Sequence, residues 1–588
     1  MAIQRKPVDI VIVGAGVAGT IIAKELLDAG LQVLQLERGR MVDPNEDFAM
    51  PFAHDELKFT VHSDLGQDLS RETVTFRNTI DEIALPMRQM GSFKPAECVG
   101  GAGILWNGQT WRFLPWDFEV RSRAEQRYGA GCLPEDCTSQ DWGLTYQELE
   151  PHYERFEQVY GVGGKAGNLN GAIVPGGNPF EGPRASEYPN PPTRPTLSGA
   201  LFTEAAQSLG YTPFTTPSAA MTRDYVNPYG MSLNRCVKGG FCSQFGCANG
   251  AKASPLTTVL PALLRHRHYE LRPHSNVVRI NLDPSGTRAT GVTYLDATAK
   301  LVEQPAELVI LCSYTLNNTR LMLLSGIGQP YDPVSGTGVI GKNYSYQPVG
   351  TVNLFFEDRS FNRFMGGGAQ AQVIDDFNGD NFDHTGLGFI GGAYISANNG
   401  GALPIRSRPV PEGTPRWGRA WKKAVSRYYD RSFTINAHGG CQSYRGNYLD
   451  LDPTYKDAFG LPLLRMTFDW RDNERKMSAY TTARAAEIAR AIGPDHLKAS
   501  PVKGKYSNVH YENTHNNGGV IVGGDPRSSA LNKYLQSWDV PNVFVVGASA
   551  FPQNSANNPT GTVGALAYWT AEAITTLYLD RQDALVDA

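Results

Sequence analysis

Apolar, β-branched runs alternate with glycine-rich and polar loops at the start of the chain. Residues 8–13, VDIVIV, form such a run, which is typical of a parallel strand buried on both faces. A helix over about residues 17–29 and a second strand within residues 31–37, LQVLQLE, follow it. The order of strand, loop, helix and strand predicts a βαβ unit at the beginning of the sequence.

Later regions show further patterns of the same kind. Residues 541–550, PNVFVVGASA, predict another buried strand that ends in a turn of small residues. Asn558 then occupies a helix N-cap and Pro559 the first helical position, so a helix is predicted to begin there. Within residues 347–498 the alternating stretches VGTVNLFF and LPLLRMTFDW predict an antiparallel sheet, and the run KMSAYTTARAAEIARAIG predicts a helix.

The loop after the first strand carries a dinucleotide fingerprint. Gly14, Gly16 and Gly19 permit a tight turn, close approach of the backbone to a pyrophosphate, and close packing of helix on strand. Glu37 follows the second strand, where an acidic side chain can accept hydrogen bonds from the adenosine ribose. A purely structural turn is the alternative, and the complete order of elements argues against it.

The fingerprint by itself does not distinguish FAD from NAD. One such unit stands at the N-terminal end of a long chain, and matching pieces occur near the C-terminal end. That distribution favours a cofactor embedded across the protein, which is FAD rather than a diffusing nicotinamide.

Length and charge narrow the class of protein. The chain has 588 residues, which predicts two or more structural domains. Its formal net charge of −4 offers no basic field to a nucleic acid, so nucleic acid binding is not expected. No apolar run long enough to span a membrane occurs, and the start lacks a signal-peptide core and a twin-arginine pair. Neither a membrane span nor an export signal of the chain's own is therefore expected.

The eight cysteines are too sparse for a disulfide-stabilised fold of this size. Cys236, Cys242 and Cys247 nevertheless stand close together, in the spacing C-x5-C-x4-C among glycines. Glycines permit turns that aim several thiolates at one point, and thiolates favour soft metals and iron–sulfur centres. A zinc site, for which the stretch lacks a fourth ligand, and unligated thiols or a disulfide are the alternatives.

Five motifs together resemble those of the glucose–methanol–choline (GMC) oxidoreductase family. They are GAGVAG at 14–19, GGAGILWNG at 100–108, THNNGG at 514–519, NVFVVGASAFP at 542–552 and NNPTGT at 557–562. The resemblance covers nearly the whole chain. Within the family, the chain most resembles the flavoprotein subunits of bacterial gluconate 2-dehydrogenases and related iron–sulfur sugar dehydrogenases.

The resemblance implies an α/β fold with an α+β substrate part. A Rossmann-like FAD-binding domain is expected over residues 1–346 and again over 499–588, with an antiparallel-sheet substrate domain over 347–498. Within the first part, residues 161–199 are rich in proline and glycine and too long for a plain connector. This segment is expected to be a lid or a surface for another subunit.

The resemblance also implies the site residues. His515 matches the active-site histidine and Asn558 the second active-site residue, and a histidine suits removal of a hydroxyl proton while a hydride passes to flavin N5. The alternatives are a histidine held by backbone partners alone, a purely capping Asn558, and His510 as the base. The residues expected to bind the cofactor are Gly14, Gly16, Gly19, Glu37, Arg38, Gly100, Gly101, Asn107, Gly108, Val277, Gly547, Ala548, Asn558, Pro559 and Thr560.

One departure from the resemblance bears on the cofactor. Leu105 stands where gluconate 2-dehydrogenases carry a histidine suited to a covalent flavin bond. Since leucine cannot form that bond, FAD is expected to be held without one. The same change weakens gluconate as the assigned substrate. For Cys236, Cys242 and Cys247 the resemblance implies a 3Fe–4S cluster.

The expected activity is that of a dehydrogenase oxidising a secondary alcohol of a sugar acid or sugar, with gluconate at its second carbon as the first candidate. Electrons are expected to pass through the cluster to a cytochrome or quinone-linked acceptor. A small signal-bearing subunit and a cytochrome c subunit are the expected partners, at the periplasmic face of a bacterial inner membrane. A glycoside or sugar 3-dehydrogenase, an oxygen-using sugar oxidase, a non-catalytic subunit and a cytoplasmic location are the alternatives.

Overall fold

The computed structural model describes residues 2–48, 56–57, 65–91, 95–398, 401, 403–512 and 514–587. Long helices flank three larger sheets and two short hairpins. The helices are Val17–Asp28, Pro44–Asp47, Ala102–Leu105, Pro115–Phe118, Val120–Tyr128, Tyr146–Val159, Leu197–Ser208, Pro255–Thr258, Leu260–Leu263, Thr315–Ser325, Gly418–Tyr428, Asp472–Ile492, Ala548–Ala550, Thr560–Ala573, Ile574–Tyr578 and Leu579–Arg581.

An eight-stranded sheet forms the nucleotide-binding part of the fold. Its path runs through Tyr269–Arg272, Val33–Leu36, Val8–Val13, Leu301–Leu311, Ala289–Leu295 and Asn276–Leu282, and Ile3–Gln4 and Val543–Val545 also pair with Leu301–Leu311. The strands around Val8–Val13 are parallel, whereas the last two of the path are antiparallel. The predicted βαβ unit is confirmed.

Burial explains why these segments form the centre of that sheet. Residues 10–13 and 308–311 are buried in the largest apolar cluster, together with Val543, Phe544 and Val545. A strand with neighbours on both edges and helices on both faces has no solvated side, so it is apolar at successive positions. The predicted C-terminal strand is therefore confirmed as Val543–Val545, beside a strand from the middle of the chain.

A six-stranded antiparallel sheet faces the first one across the site. Its strands are, in order, His496–Ser500, Val349–Phe355, Ser432–Gly439, Ala393–Asn398, Ala371–Ile374 and Phe214–Thr215. The predicted helix is confirmed as Asp472–Ile492, whose buried alanines pack on this sheet. Gly493 ends it in the left-handed conformation, with φ of +73°.

One predicted strand belongs to another sheet. Pro462–Thr467, within LPLLRMTFDW, pairs with Tyr448–Lys456 on one side and runs parallel to Val74–Arg77 on the other, and Leu85–Pro86 completes four strands. Its alternation of apolar and polar residues was interpreted correctly as a strand. The partner came from nearly four hundred residues earlier in the chain, and the local pattern carries no information about it.

Residues 161–199 contain one short hairpin, Asn168–Leu169 with Ala172–Ile173, and are tied into the fold at several points. Arg184, which is 1% exposed, donates to Glu157 at 2.5 Å, and Asn178 donates to Asp375 at 2.8 Å. Whether the segment serves as a lid or as a subunit surface stays a prediction. Across the described residues, no helix combines the length and the apolarity that crossing a membrane requires.

Candidate active site

A cavity of about 530 Å³ lies between the two larger sheets. It opens at the carboxyl ends of four parallel strands, where Gly14, Glu37, Ser313 and Gly547 line it. The opposite wall carries side chains of the six-stranded sheet. Ligands of open α/β sheets bind at this edge, because loops and helix N-termini converge there.

The glycine loop has the geometry of a dinucleotide cradle. Gly14 has φ of +100°, and a Cβ there would lie 2.5 Å from the carbonyl oxygen of Cys312. A Cβ on Gly19 would lie 2.1 Å from the carbonyl oxygen of Gly14, so Gly19 permits close packing of the helix on the loop. A Cβ on Gly16 meets no atom within 4 Å, and Gly16 lines the cavity. The space at Gly16 is where a pyrophosphate fits.

Glu37 is held by the backbone around it. Its carboxylate accepts from the amides of Ala15 at 3.0 Å and Gly39 at 2.9 Å. Burial raises the pKa of Glu37, although the two amides act against this shift. The side chain lines the cavity, and the remaining lone pairs of its oxygens are those a ribose hydroxyl would use.

The two arginines that line the cavity are bound to carboxylates. Arg38 donates to Glu72 at 3.1 Å, and Arg320 donates to Glu72 and to Asp457, both at 2.7 Å. Burial disfavours the charge on Arg38, yet Glu97 and Glu72 raise its pKa. The charges of both arginines are therefore already paired with carboxylates of the protein.

The loop at residues 100–108 is fastened to the glycine loop. The amide of Gly100 donates to the carbonyl of Ala15 at 2.8 Å, and Gly101, with φ of +53°, lies beside Gly16. Predicted cofactor residues that line the cavity are Gly14, Gly16, Glu37, Arg38, Gly101, Asn107, Val277, Gly547, Ala548, Asn558, Pro559 and Thr560. Gly19, Gly100 and Gly108 do not line it; they shape the loops that do.

His515 lies in the cavity in a strained backbone conformation, with φ of +52°. Its Nε2 lies 2.8 Å from Nδ2 of Asn558, and its carbonyl accepts from Asn554 at 2.7 Å. Burial lowers the pKa of His515 to about 4. His510, the alternative base, is exposed and does not line the cavity, whereas His515 does.

Asn558 is oriented by two aromatic side chains. Its Oδ1 accepts from Nε1 of Trp111 at 2.9 Å and from the hydroxyl of Tyr394 at 3.0 Å. Both donors require the oxygen on their side, so the NH₂ group faces His515. Nε2 of the histidine is then the acceptor, so the imidazole is neutral and the Nε2 lone pair points at the Asn558 amide.

The predicted N-cap role of Asn558 is wrong. The helix is Thr560–Ala573, Pro559 takes the cap position, and no side chain caps the helix. The amide oxygen that would have bonded the helix N–H groups is already occupied by Trp111 and Tyr394. The uncapped amides of the first turn remain for a ligand in the cavity.

Sequence reasoning missed His438 and its neighbours. His438 stacks on Tyr394 with ring centroids 4.9 Å apart and meets His515 edge-on at 6.4 Å. Burial, and then the neighbouring imidazole of His515, lowers the pKa of His438 to about 3, and its Nδ1 has no hydrogen-bond partner among the described residues. Ser396, Asn398 and Asn436 join it on this wall. The signal was the polar residue at every second position in AYISAN and SFTINAHG.

The predicted cysteine cluster is not assembled as a metal centre. All eight cysteines are free. An amide donates to each of two sulfurs, from Lys238 to Cys236 at 3.4 Å and from Gly368 to Cys242 at 3.1 Å. Burial raises the pKa of Cys236 to about 11. In the part of the chain that the structure describes, no three histidine, cysteine or acidic side chains gather closely enough to hold a metal.

A buried lysine joins the cysteine loop, residues 236–247, to the cavity wall. Lys252 is 2% exposed, and its ammonium donates to the carbonyls of Trp106 at 2.5 Å and of Cys242 and Phe245, both at 2.7 Å. Three donations from one nitrogen require the charged form. The amide of Gln244 also donates to the carbonyl of Leu105 at 2.9 Å, so the two loops form one unit.

Known proteins are similar to this chain in sequence and in fold. Models of the GMC oxidoreductase family match residues 195–349 and 443–567. The gluconate 2-dehydrogenase flavoprotein of Pantoea cypripedii is 46% identical over 100% of this chain and 97% of that protein. The large subunit of fructose dehydrogenase from Gluconobacter japonicus is 25% identical over 98% and 99%. In fold, pyridoxine 4-oxidase from Mesorbium loti matches with a TM-score of 0.57 at 17% identity, over 96% of this chain and 98% of that one.

Proposed function

Because the chain belongs to the GMC oxidoreductase family, whose members bind FAD and act on CH–OH groups, we propose that it is a dehydrogenase of a sugar acid. Gluconate, oxidised at its second carbon, is the first candidate substrate. The observation that carries the proposal is the pairing of His515 with an Asn558 whose orientation is fixed, in a cavity that also holds the dinucleotide cradle. The relative with 46% identity supplies the substrate class.

The chain's own residues provide the proton transfer. Nε2 of His515 takes the hydroxyl proton of the substrate while the hydrogen on the same carbon leaves as a hydride. The substrate hydroxyl must take the place of Asn558 at the Nε2 lone pair, and the Nδ2 group of Asn558 then donates to the substrate oxygen. FAD, when bound, supplies the hydride acceptor at N5. The lowered pKa of His515 keeps it unprotonated at neutral pH, so its lone pair is available to accept the proton, as a weaker base than a free imidazole.

The N-terminus of the helix Thr560–Ala573 faces the same cavity. Its first amides have no partner within the helix, and the helix dipole adds partial positive charge at this end. Fixed donors of this kind stabilise negative charge that builds on a ligand during reduction. Pro559 and Thr560 therefore belong to the binding machinery rather than to a plain helix start.

We further propose that FAD is held without a covalent bond to residue 105. Leu105 is 7% exposed, lines the cavity and carries no group that can bond to flavin. Acid precipitation of the purified protein is expected to leave the yellow chromophore in the supernatant. Flavin in the pellet would contradict this part of the proposal.

For the electron path we propose an iron–sulfur cluster of the 3Fe–4S type on Cys236, Cys242 and Cys247. The donor set supports it, since three thiols share one loop, backbone amides reach two sulfurs, and the Lys252 ammonium lies beside them. Such a cluster would supply a one-electron carrier. As placed, the thiols do not meet the geometry of a metal centre, so the loop must close around the cluster when it binds.

The proposed partners follow from that path. A small signal-bearing subunit and a cytochrome c subunit, or a quinone-linked acceptor, would receive the electrons at the periplasmic face of a bacterial inner membrane. Gentle purification and identification of the co-purifying chains test this part. A fully active single chain would refute it.

Anaerobic mixing with candidate substrates tests the activity. Gluconate is expected to bleach the flavin absorbance and to give a keto group at its second carbon, identified by mass spectrometry. Iron analysis of the same preparation tests the cluster, and a peroxide assay in air tests the alternative of an oxygen-using oxidase. Bleaching by other sugars but never by gluconate would overturn the substrate assignment.

A neutral sugar or glycoside, including oxidation at its third carbon, is the second candidate. The side chains of Ser396, Asn398 and Asn436 are uncharged, and low pKa keeps His438 neutral. Both arginines among the described lining residues are already paired with carboxylates. This wall suits hydroxyl groups and offers no described free cation to a substrate carboxylate. Faster bleaching by a methyl glycoside than by gluconate would select this candidate.

A further inference from the structure

Residues 404–427, called the basic segment here, carry a charge opposite to that of the whole chain. The segment holds seven arginines and lysines and one carboxylate, Glu412, whereas the chain has a formal net charge of −4. All seven cationic residues are exposed. A local field of this kind is lost when charge is averaged over the sequence.

In the part of the chain that the structure describes, most of these cations have no carboxylate partner. Arg427 pairs with Glu357, and Arg406 donates to the side-chain oxygen of Gln244 at 2.6 Å. Within the described chain, no carboxylate pairs with Arg416, Arg419, Lys422 or Lys423. Their charges are directed to solvent and are available to another molecule.

The helix Gly418–Tyr428 turns its apolar face toward the protein. Tyr428 is buried against Phe355 with ring centroids 5.5 Å apart, and the side chains of Trp421 and Val425 are half-buried. An amphipathic helix that binds a membrane surface inserts its apolar face into lipid. Here that face is occupied, and the exposed face presents cations, which favours an acidic protein surface over a bilayer.

The basic segment adjoins the cysteine loop at its first end. Leu403 packs with Phe241 and Phe245 in one apolar cluster, and the Arg406 side chain bonds to Gln244, which lies between Cys242 and Cys247. Gln244 lines the cavity as well. The cysteine loop therefore lies between the cavity and the basic segment.

The other end is tied to the same loop by a second route. The guanidinium of Arg363 donates to the carbonyl of Tyr429 at 3.3 Å, and the next residue, Phe364, stacks edge-on against Phe241 at 5.3 Å. The amide of Gly366 also donates to the carbonyl of Lys238. Two independent attachments hold the basic segment beside the cysteines. Trp417, which is 84% exposed, adds an aromatic residue of the type enriched at interfaces.

We propose that the basic segment is the docking surface for the acidic face of an electron-accepting protein. Docking there places the acceptor next to the loop that lies beside the flavin cavity, and rows of cations steer an acidic partner to that position. Each reduced flavin then releases two protons and gives one electron to each of two ferric haems. The inference rests on the proposed function, because it requires a protein acceptor.

Charge reversal on the full, FAD-bound protein tests it. The variant Lys422→Glu/Lys423→Glu changes the helix, and Arg265→Glu/Arg267→Glu makes the same change at exposed arginines in a loop before the edge strand Tyr269–Arg272. The probes are succinylated cytochrome c, which is acidic, and the unmodified basic cytochrome. Each protein is reduced with dithionite, desalted and mixed with the cytochrome in a stopped-flow instrument at low and high ionic strength.

At low salt the unaltered protein is expected to reduce the acidic cytochrome about tenfold faster than the basic one, and salt is expected to remove the difference. K422E/K423E should lose about tenfold in that rate, and R265E/R267E should stay within about twofold. No preference for the acidic cytochrome, or equal losses in both variants, would overturn the proposal.

Lipid vesicles distinguish binding to a membrane surface from docking of a protein. Co-sedimentation of the protein with phosphatidylglycerol vesicles, lost in K422E/K423E while cytochrome reduction is unchanged, would identify an anionic lipid surface and overturn docking of a protein. The failure of the proposed substrate is a separate result, because dithionite supplies the electrons in the docking test. Flavin bleaching by gluconate reports on that question alone.

Discussion

The histidine and asparagine of the cavity and the three cysteines beside it are two sites of different completeness. His515 and Asn558 are already bonded to each other, and Trp111 and Tyr394 fix the amide. The cysteines share one loop and do not gather. Every partner of the first pair is a protein group, whereas a cluster of thiolates has a bound metal as its common partner.

The difference has a physical cause. Hydrogen bonds between neutral side chains are favourable without any ligand, so the fold alone can complete them. Burial disfavours the charge of a thiolate, and nearby thiolates add repulsion, which is why the pKa of Cys236 is raised. A preformed thiolate site is rare for this reason, and we expect the loop of the proposed cluster to close only as the metal binds.

Removing the base is expected to have the largest effect. His515→Asn should lower the rate of flavin reduction by substrate by about 10²–10⁴-fold while FAD stays bound, because the hydroxyl proton loses its acceptor. Stopped-flow bleaching measures the rate. His510→Asn, at an exposed histidine outside the cavity, is the control and should leave it unchanged. Equal losses in the two variants would remove His515 from its role.

Changing one cysteine is expected to impair cytochrome reduction while leaving flavin reduction by the substrate intact. Cys242→Ser should leave flavin bleaching by substrate within about twofold, and should lower iron content and cytochrome reduction by about 10–100-fold. Cys132→Ser, outside the loop, serves as the matched control. If iron is absent from the unaltered protein and Cys242→Ser transfers electrons normally, the loop is structural and the contrast between the two sites disappears.

Removing a hydrogen bond that orients the Asn558 amide is expected to lower the rate of flavin reduction by a smaller factor. Trp111→Phe and Tyr394→Phe each remove one donor to Asn558, and each should slow flavin reduction by about tenfold, consistent with the loss of about one hydrogen bond. The shape of the cavity is largely kept in both. An unchanged rate in the double variant would show that the amide holds its orientation without them.

The smallest expected effect is that of pH. Only the neutral imidazole accepts a proton, and the pKa of His515 is lowered to about 4. Flavin reduction should therefore change by less than about twofold from pH 8 to about 5.5 and fall below that, whereas an ordinary histidine would lose about tenfold by then. The stability of the fold is expected to fall with decreasing pH as well. The unfolded chain takes up the proton first, so the free energy of unfolding should decline as pH falls from about 6.5 to about 4.

Local chemistry made much of the fold predictable. The run at Val8–Val13, the glycine loop after it and the helix Asp472–Ile492 were all identified from neighbouring residues, because burial and turn geometry impose short periods on the sequence. The net charge was misleading, because it averages over the whole chain rather than over neighbouring residues. A whole-chain sum of −4 conceals a strongly basic segment of two dozen residues.

Long-range partners explain what could not be predicted. Asn558 is oriented by Trp111 and Tyr394, which stand 447 and 164 residues away, so its sequence neighbourhood predicted a helix N-cap and only the family resemblance predicted its active-site role. The same holds for Pro462–Thr467, whose parallel partner is Val74–Arg77. His438 entered the site through the register of the six-stranded sheet, which pairs it with Tyr394. Register is a property of two strands together.

The pairing of Leu301–Leu311 with both Val8–Val13 and Val543–Val545 has a consequence for biosynthesis. Translation proceeds from the first of these segments to the last, so the strand Val543–Val545 and the helix Thr560–Ala573 are synthesised after the glycine cradle. Until then the glycine cradle has no opposite half. We therefore expect FAD to bind only after these segments have been synthesised, and the central sheet to remain without this edge until then.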